Sequence, residues 1–121
     1  MSALALAGVA LLGGFGAVLR LLLDGAVSAR TDGEFPAGTL TVNLSGAFVL
    51  GVLAGAAVRG DASRLIGTGL IGAFTTFSTW MYETQRLGET GAGRAAALNI
   101  ALSLVAGVLL AWAGSKLGAV L

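Results

Sequence analysis

Residues 69–80 read Gly-Leu-Ile-Gly-Ala-Phe-Thr-Thr-Phe-Ser-Thr-Trp, inside a run from Leu65 to Tyr82 that holds no Asp, Glu, Lys or Arg. Four hydroxyl residues (Thr75, Thr76, Ser78, Thr79) fall in five positions shortly after Gly72. β-Branched Thr and nearby Gly both weaken a helix. A break here would lie at membrane depth and free backbone carbonyls. Such carbonyls are tolerated only when buried in protein or lining a cavity, and they are good ligands for a hard cation. The other reading is an unbroken helix whose hydroxyls bond back to the preceding turn. The residues by themselves leave both open.

Three more charge-free runs surround this one: Met1 to Leu19, Phe35 to Val58 and Ala95 to Ser115. A bilayer-spanning helix needs about 20 mostly apolar residues. The expectation is an all-α membrane protein with a single domain over 1–121. Its four transmembrane helices are placed at about 3–23, 36–58, 65–86 and 95–115. The connectors are short and polar, with no room for a water-soluble domain. The first run has no basic flank before it, and Arg20 lies on its far side, so it does not read as a cleavable signal. Pro36 suits the first turn of the second helix, and Asp61 or Ser63 is the expected cap of the third.

Composition agrees. Charged residues are 11% of the chain, against about 25% in soluble domains, and the mean hydropathy is +0.92. A net charge of +1 gives no basic field for nucleic acid. The chain has no Cys and no His, which excludes disulfides, thiolate metal sites and imidazole catalysis. The 20 glycines follow no collagen period and suit close helix packing; Gly51 and Gly55 form a GxxxG pair.

With four spans, both termini share one side of the membrane. That side carries Arg59, Arg64 and Lys116, and the other carries Arg20, Arg30, Arg86 and Arg94. Three against four hardly sets an orientation under the positive-inside rule. Insertion both ways, and pairing of two opposite copies about an axis in the membrane plane, is the hypothesis this raises.

Polar residues within spans are costly and mark pathways. Arg20 reads as a residue near an interface, where it can snorkel. Asn43 brings two donors and two acceptors, for an ion or for a neighbouring helix. Phe77 and Trp80 share a helix face, and their positive ring edges suit a small anion as well as plain packing. Asn99 and Ser103, four apart, either continue a polar track or join two helices. Glu83 follows the third span as an end charge. No acid lies deep in spans one, two or four, which weighs against a proton-coupled exporter. No constellation supports an enzyme.

Three runs resemble the Fluc/CrcB fluoride channels: Gly13-Gly14-Phe15-Gly16-Ala17-Val18-Leu19-Arg20, Gly38-Thr39-Leu40-Thr41-Val42-Asn43-Leu44-Ser45-Gly46, and Gly69 through Thr79. The resemblance covers all four spans in order. It implies an antiparallel, dual-topology homodimer with the third helix broken mid-span, set in membrane lipid of the cell inner (plasma) membrane. It implies two pores for fluoride ion and a structural Na⁺ held by the carbonyls of Gly72 and Thr75 of each copy. Asn43, Phe77 and Ser103 match pore positions; Arg20 and Glu83 match charges at the pore ends. Thr76 joins the expected pathway. Trp80 stands where the family has a second phenylalanine, and Asn99 where a tyrosine is common. Indole keeps a positive edge, adds an N–H donor and is bulkier. The implied activity is passive fluoride exit that relieves toxicity. Readings from other classes are a small dual-topology multidrug exporter and a non-transporting membrane subunit.

Overall fold

The computed structural model describes residues 1–121, all helix and turn with no strand. Helix α1 is Ala3–Arg30, α2 is Ala37–Gly55 and α6 is Gly93–Gly118. These three are long and apolar enough to cross a membrane. Between α2 and α6 the remaining apolar run is divided. A single turn, α3 (Gly60–Ser63), passes into a π-helical stretch at Arg64–Ile71 and then into α4 (Gly72–Phe74); α5 (Ser78–Glu89) begins after three intervening residues.

Local chemistry sets the helix ends. The Ser2 hydroxyl accepts from the Ala5 amide at 3.1 Å and caps α1. At 28 residues, α1 is about 42 Å long, more than the hydrocarbon core of about 30 Å. Arg20 is therefore not at a helix end; α1 runs ten residues past it. Pro36 stands just before α2, and its carbonyl accepts from the Leu40 amide at 3.1 Å. Neither Asp61 nor Ser63 caps α3. The helix starts at Gly60 after Arg59, with no side-chain cap, so both residues are already inside the turn. Asp61 instead pairs with Arg64 at 3.0 Å on the surface.

The main packing seam is α2 against α6. It is built from glycines on both helices. A Cβ on Gly51 or Gly55 would run into the backbone carbonyl of Ala111 or Ser115, and one on Gly114 or Gly118 into that of Phe48 or Val52. The GxxxG pair of α2 thus meets a matching pair on α6, which lets the backbones touch. Helix α1 lies against the π-helical stretch and α4, with Gly16 set on the Leu70 carbonyl. Only 15 of 121 residues are buried, so most apolar side chains face outward, toward whatever surrounds the bundle.

Candidate functional site

The helical ladder stops at Phe74. Thr75 is extended, with φ −84° and ψ 163°. Its amide and its hydroxyl both donate to the Ile71 carbonyl, each at 3.0 Å. The next peptide is held from another helix. Asn43 Oδ1 accepts from the Thr76 amide at 2.8 Å, and Asn43 Nδ2 donates to the Thr76 carbonyl at 2.8 Å. One N–H of the Asn43 amide stays free of a partner within the chain. The Thr76 hydroxyl accepts from the Thr79 amide at 3.2 Å and donates to Thr79 Oγ1 at 3.1 Å, so it serves as a cap for α5.

These bonds have a consequence for the carbonyls. In a continuous helix the Thr76 amide would serve the Gly72 carbonyl, and the Thr79 amide would serve that of Thr75. Here the first is turned to Asn43 and the second to the Thr76 hydroxyl. The Gly72 and Thr75 carbonyls consequently accept no hydrogen bond within the chain. No three Asp, Glu, His or Cys side chains converge anywhere; the bare oxygens at the interruption are backbone carbonyls.

Two cavities flank the Thr76 peptide. One, of about 300 Å³, lies between α1, α2 and the interruption, and Arg20, Asp24, Thr39, Thr76 and Thr79 line it. The other, of about 320 Å³, is lined by Asn43, Gly46, Thr75, Thr76, Phe77 and Trp80 among others. Thr76 belongs to both. Arg20 has no ion-pair partner. Phe77 is 71% exposed, and its ring meets Trp80 edge-on, with centroids 5.6 Å apart and planes at 77°. Glu83 is half-buried and accepts a hydrogen bond from the Thr39 hydroxyl; it is tied to α2, not left to solvent.

The last expected residues sit between α5 and α6. Asn99 is 1% exposed, and its Nδ2 donates to Thr84 Oγ1 at 2.9 Å. The Thr84 hydroxyl donates to the Trp80 carbonyl at 2.7 Å. Asn99 Oδ1, Ser103 Oγ and Trp80 Nε1 are buried without a partner. Thus Asn43, Thr76, Phe77 and Trp80 share one cavity. Arg20 opens on the other, and Asn99 and Ser103 stand on α6. Sequence reasoning missed Asp24, Thr39 and Thr84 as members of these clusters. Thr84 lies four after Trp80, which is the one signal that marked it.

Other polar side chains of α2 are accounted for without a ligand. Thr41 donates to the Ala37 carbonyl at 2.8 Å and Ser45 to that of Val42 at 3.0 Å, the back-bonding usual for hydroxyls in apolar helices.

Apolar helices, a glycine seam and an interrupted third segment clamped by an asparagine define a small multi-pass membrane protein. The family described as "CrcB-like protein, Camphor Resistance (CrcB)" matches residues 7–115, and the chain belongs to that family. It is 56% identical over 110 residues to a protein of Mycolicibacterium paratuberculosis named "Fluoride-specific ion channel FluC 2", covering 91% of this chain and 90% of that one. A Streptomyces avermitilis protein named "Fluoride-specific ion channel FluC 1" is 52% identical over 103 residues, 82% of this chain and 83% of that one. "Fluoride-specific ion channel FluC 2" of Haloarcula marismortui is 50% identical over 104 residues, 83% and 84% of the two chains. The family is one of channels, not enzymes.

Proposed function

We propose that this chain is a passive fluoride-selective channel that works as an antiparallel, dual-topology homodimer with a structural Na⁺ at its centre. The supporting observation is the interruption after Phe74, where carbonyls including those of Gly72 and Thr75 are released while the Thr76 peptide is held by Asn43. The relatives named as fluoride channels, alike over most of their length, supply the ion.

The residues present fit a hard cation. Such ions take oxygen ligands, and one copy offers the bare carbonyls of Gly72 and Thr75. Two copies meeting at this point would offer four. The near-even charge of the two sides, three against four, suits insertion in both orientations. Bound there, Na⁺ would supply positive potential for an anion and tie the copies together.

Fluoride is small and strongly hydrated, so a pore must replace its water with donors and avoid any deep trap. The free N–H of Asn43 is one donor. The edges of Phe77 and Trp80 are weak positive contacts in the same cavity. Ser103 lies further along α6. Arg20 lines the adjoining cavity together with Asp24, Thr76 and Thr79, and is the one cationic side chain there that could face an anion. Net flow is outward: HF enters from acid surroundings, dissociates inside, and leaves as F⁻. Liposomes loaded with fluoride and reporting to a fluoride electrode test the reading. Efflux without proton coupling, and none of chloride, is expected; sealed vesicles would refute it. A multidrug exporter would instead need a titratable acid deep in a span, and none lies deep in spans one, two or four. Replacing Na⁺ in the preparation should loosen the dimer and lower flux.

A further inference from the structure

Helices α5 and α6 run antiparallel, and the Asn99–Thr84 hydrogen bond fixes their register. One turn before Thr84 on the same face is Trp80. One turn after Asn99 on the same face is Ser103. The register therefore sets Trp80 and Ser103 at one level, next to the Thr84–Asn99 level. At these two levels lie all three of the chain's buried side-chain polar atoms that lack a partner: Trp80 Nε1, Ser103 Oγ and Asn99 Oδ1. Buried polar atoms are nearly always satisfied, and three orphans at adjoining levels point to something outside the chain that satisfies them.

Their chemistry says what. The indole N–H is a donor only, and the serine hydroxyl can donate. The Thr84 hydroxyl has a single hydrogen and gives it to the Trp80 carbonyl. Toward Asn99 it can only accept, so the Asn99 amide turns its N–H₂ to Thr84 and its oxygen away. Two donors thus share a level, and a bare acceptor stands one turn along.

We infer that Trp80 Nε1 and Ser103 Oγ form a two-donor site for desolvated fluoride, and that Asn99 Oδ1 one turn further holds a water that begins the ion's rehydration. The inference rests on the channel reading and adds to it. At the position where this chain departs from the family's phenylalanine, the contact is an N–H hydrogen bond, not a ring edge. A full N–H dipole holds a small anion more firmly than a ring edge does. An amide oxygen repels a bare anion but accepts from water, which marks the point beyond which fluoride does not travel dry.

The chain has two tryptophans, and Trp112 is 60% exposed on the outer face of α6. In W112F protein, Trp80 becomes the sole indole and reports on its own N–H. Its emission is followed while NaF replaces NaCl at constant Na⁺ and ionic strength. A saturable, fluoride-specific change is expected. Loss of one charge-assisted hydrogen bond in W112F/S103A should raise its midpoint by about tenfold or more, and W112F/S103T, which keeps a hydroxyl, should restore it. Liposome efflux on the same W112F protein separates the two claims. Efflux with an emission unaffected by fluoride, equally affected by chloride, or indifferent to S103A overturns this site and leaves the channel standing. No efflux from the parent chain overturns the channel reading itself.

Discussion

Asn43 is asked to do two things, and substitution separates them. Its side chain makes both 2.8 Å bonds to the Thr76 peptide. Asn43→Ala removes both and orphans an amide and a carbonyl. Each half-buried orphan costs about 1 kcal/mol at the low end of the usual range, so about 2 kcal/mol together. Asn43→Asp keeps the acceptor for the Thr76 amide and strengthens it with charge, but loses the donor and faces the Thr76 carbonyl with a second oxygen. It should cost about 1 kcal/mol or somewhat more. For stability the expected order is parent, then Asp, then Ala. For fluoride flux it is parent, then Ala, then Asp, because only Asp adds a like charge to the cavity shared with Phe77 and Trp80. Denaturant titration in detergent reads the first order, and the fluoride electrode on liposomes reads the second. If the two orders coincide, one role suffices and the ion contact is the one to discard. If Asn43→Ala is as stable as the parent, the clamp holds nothing and the account of the freed carbonyls fails with it.

Gly118→Ala should be among the most damaging small substitutions in the chain. The added methyl would meet the Val52 carbonyl at the α2–α6 seam, and overpacking of this kind costs about 1–3 kcal/mol; a denaturation midpoint equal to the parent's would count against the seam. Ala57 carries a left-handed φ of 55° just past the end of α2, a conformation that costs a residue with a Cβ about 1–2 kcal/mol. Ala57→Gly, on the surface, should therefore raise stability by up to about 1 kcal/mol, the rest being offset by glycine's greater unfolded entropy; a fall in stability would show that the turn is not strained.

What could be read from the residues divides along a physical line. Charge-free runs report on burial in lipid, a property each residue carries by itself, so the apolar helices were legible. The same holds for the glycine pair of α2. Its counterpart Gly114 and Gly118 carries an equal signal and passed unremarked among 20 glycines. Partners were not legible. Asn43 and Thr76 are 33 positions apart, and nothing local says that the amide of one closes the peptide of the other. Thr84 lies on α5 among Glu83, Gln85 and Arg86, where a threonine looks solvated; only packing against α6 turns it into the partner of Asn99. Glu83 looked like a free end charge for the same reason, until Thr39 was seen to reach it.

The long-range bonds also explain why the polar stretch sits where it does. An interruption in an apolar bundle exposes amides and carbonyls together, and both are costly without water. Here some of the exposed amides are taken up by the chain itself: Thr76 by Asn43, Thr79 by the Thr76 hydroxyl and Thr75 by its own helix, while those of Phe77 and Trp80 find no partner in it. The carbonyls of Gly72 and Thr75 are left bare. Bare donors and bare acceptors therefore stand side by side, and a second helix, whose own backbone groups are already bonded, could meet neither. The hydroxyls around the interruption thus consume part of the donor set, and the long-range clamp from Asn43 decides which peptide groups are left over.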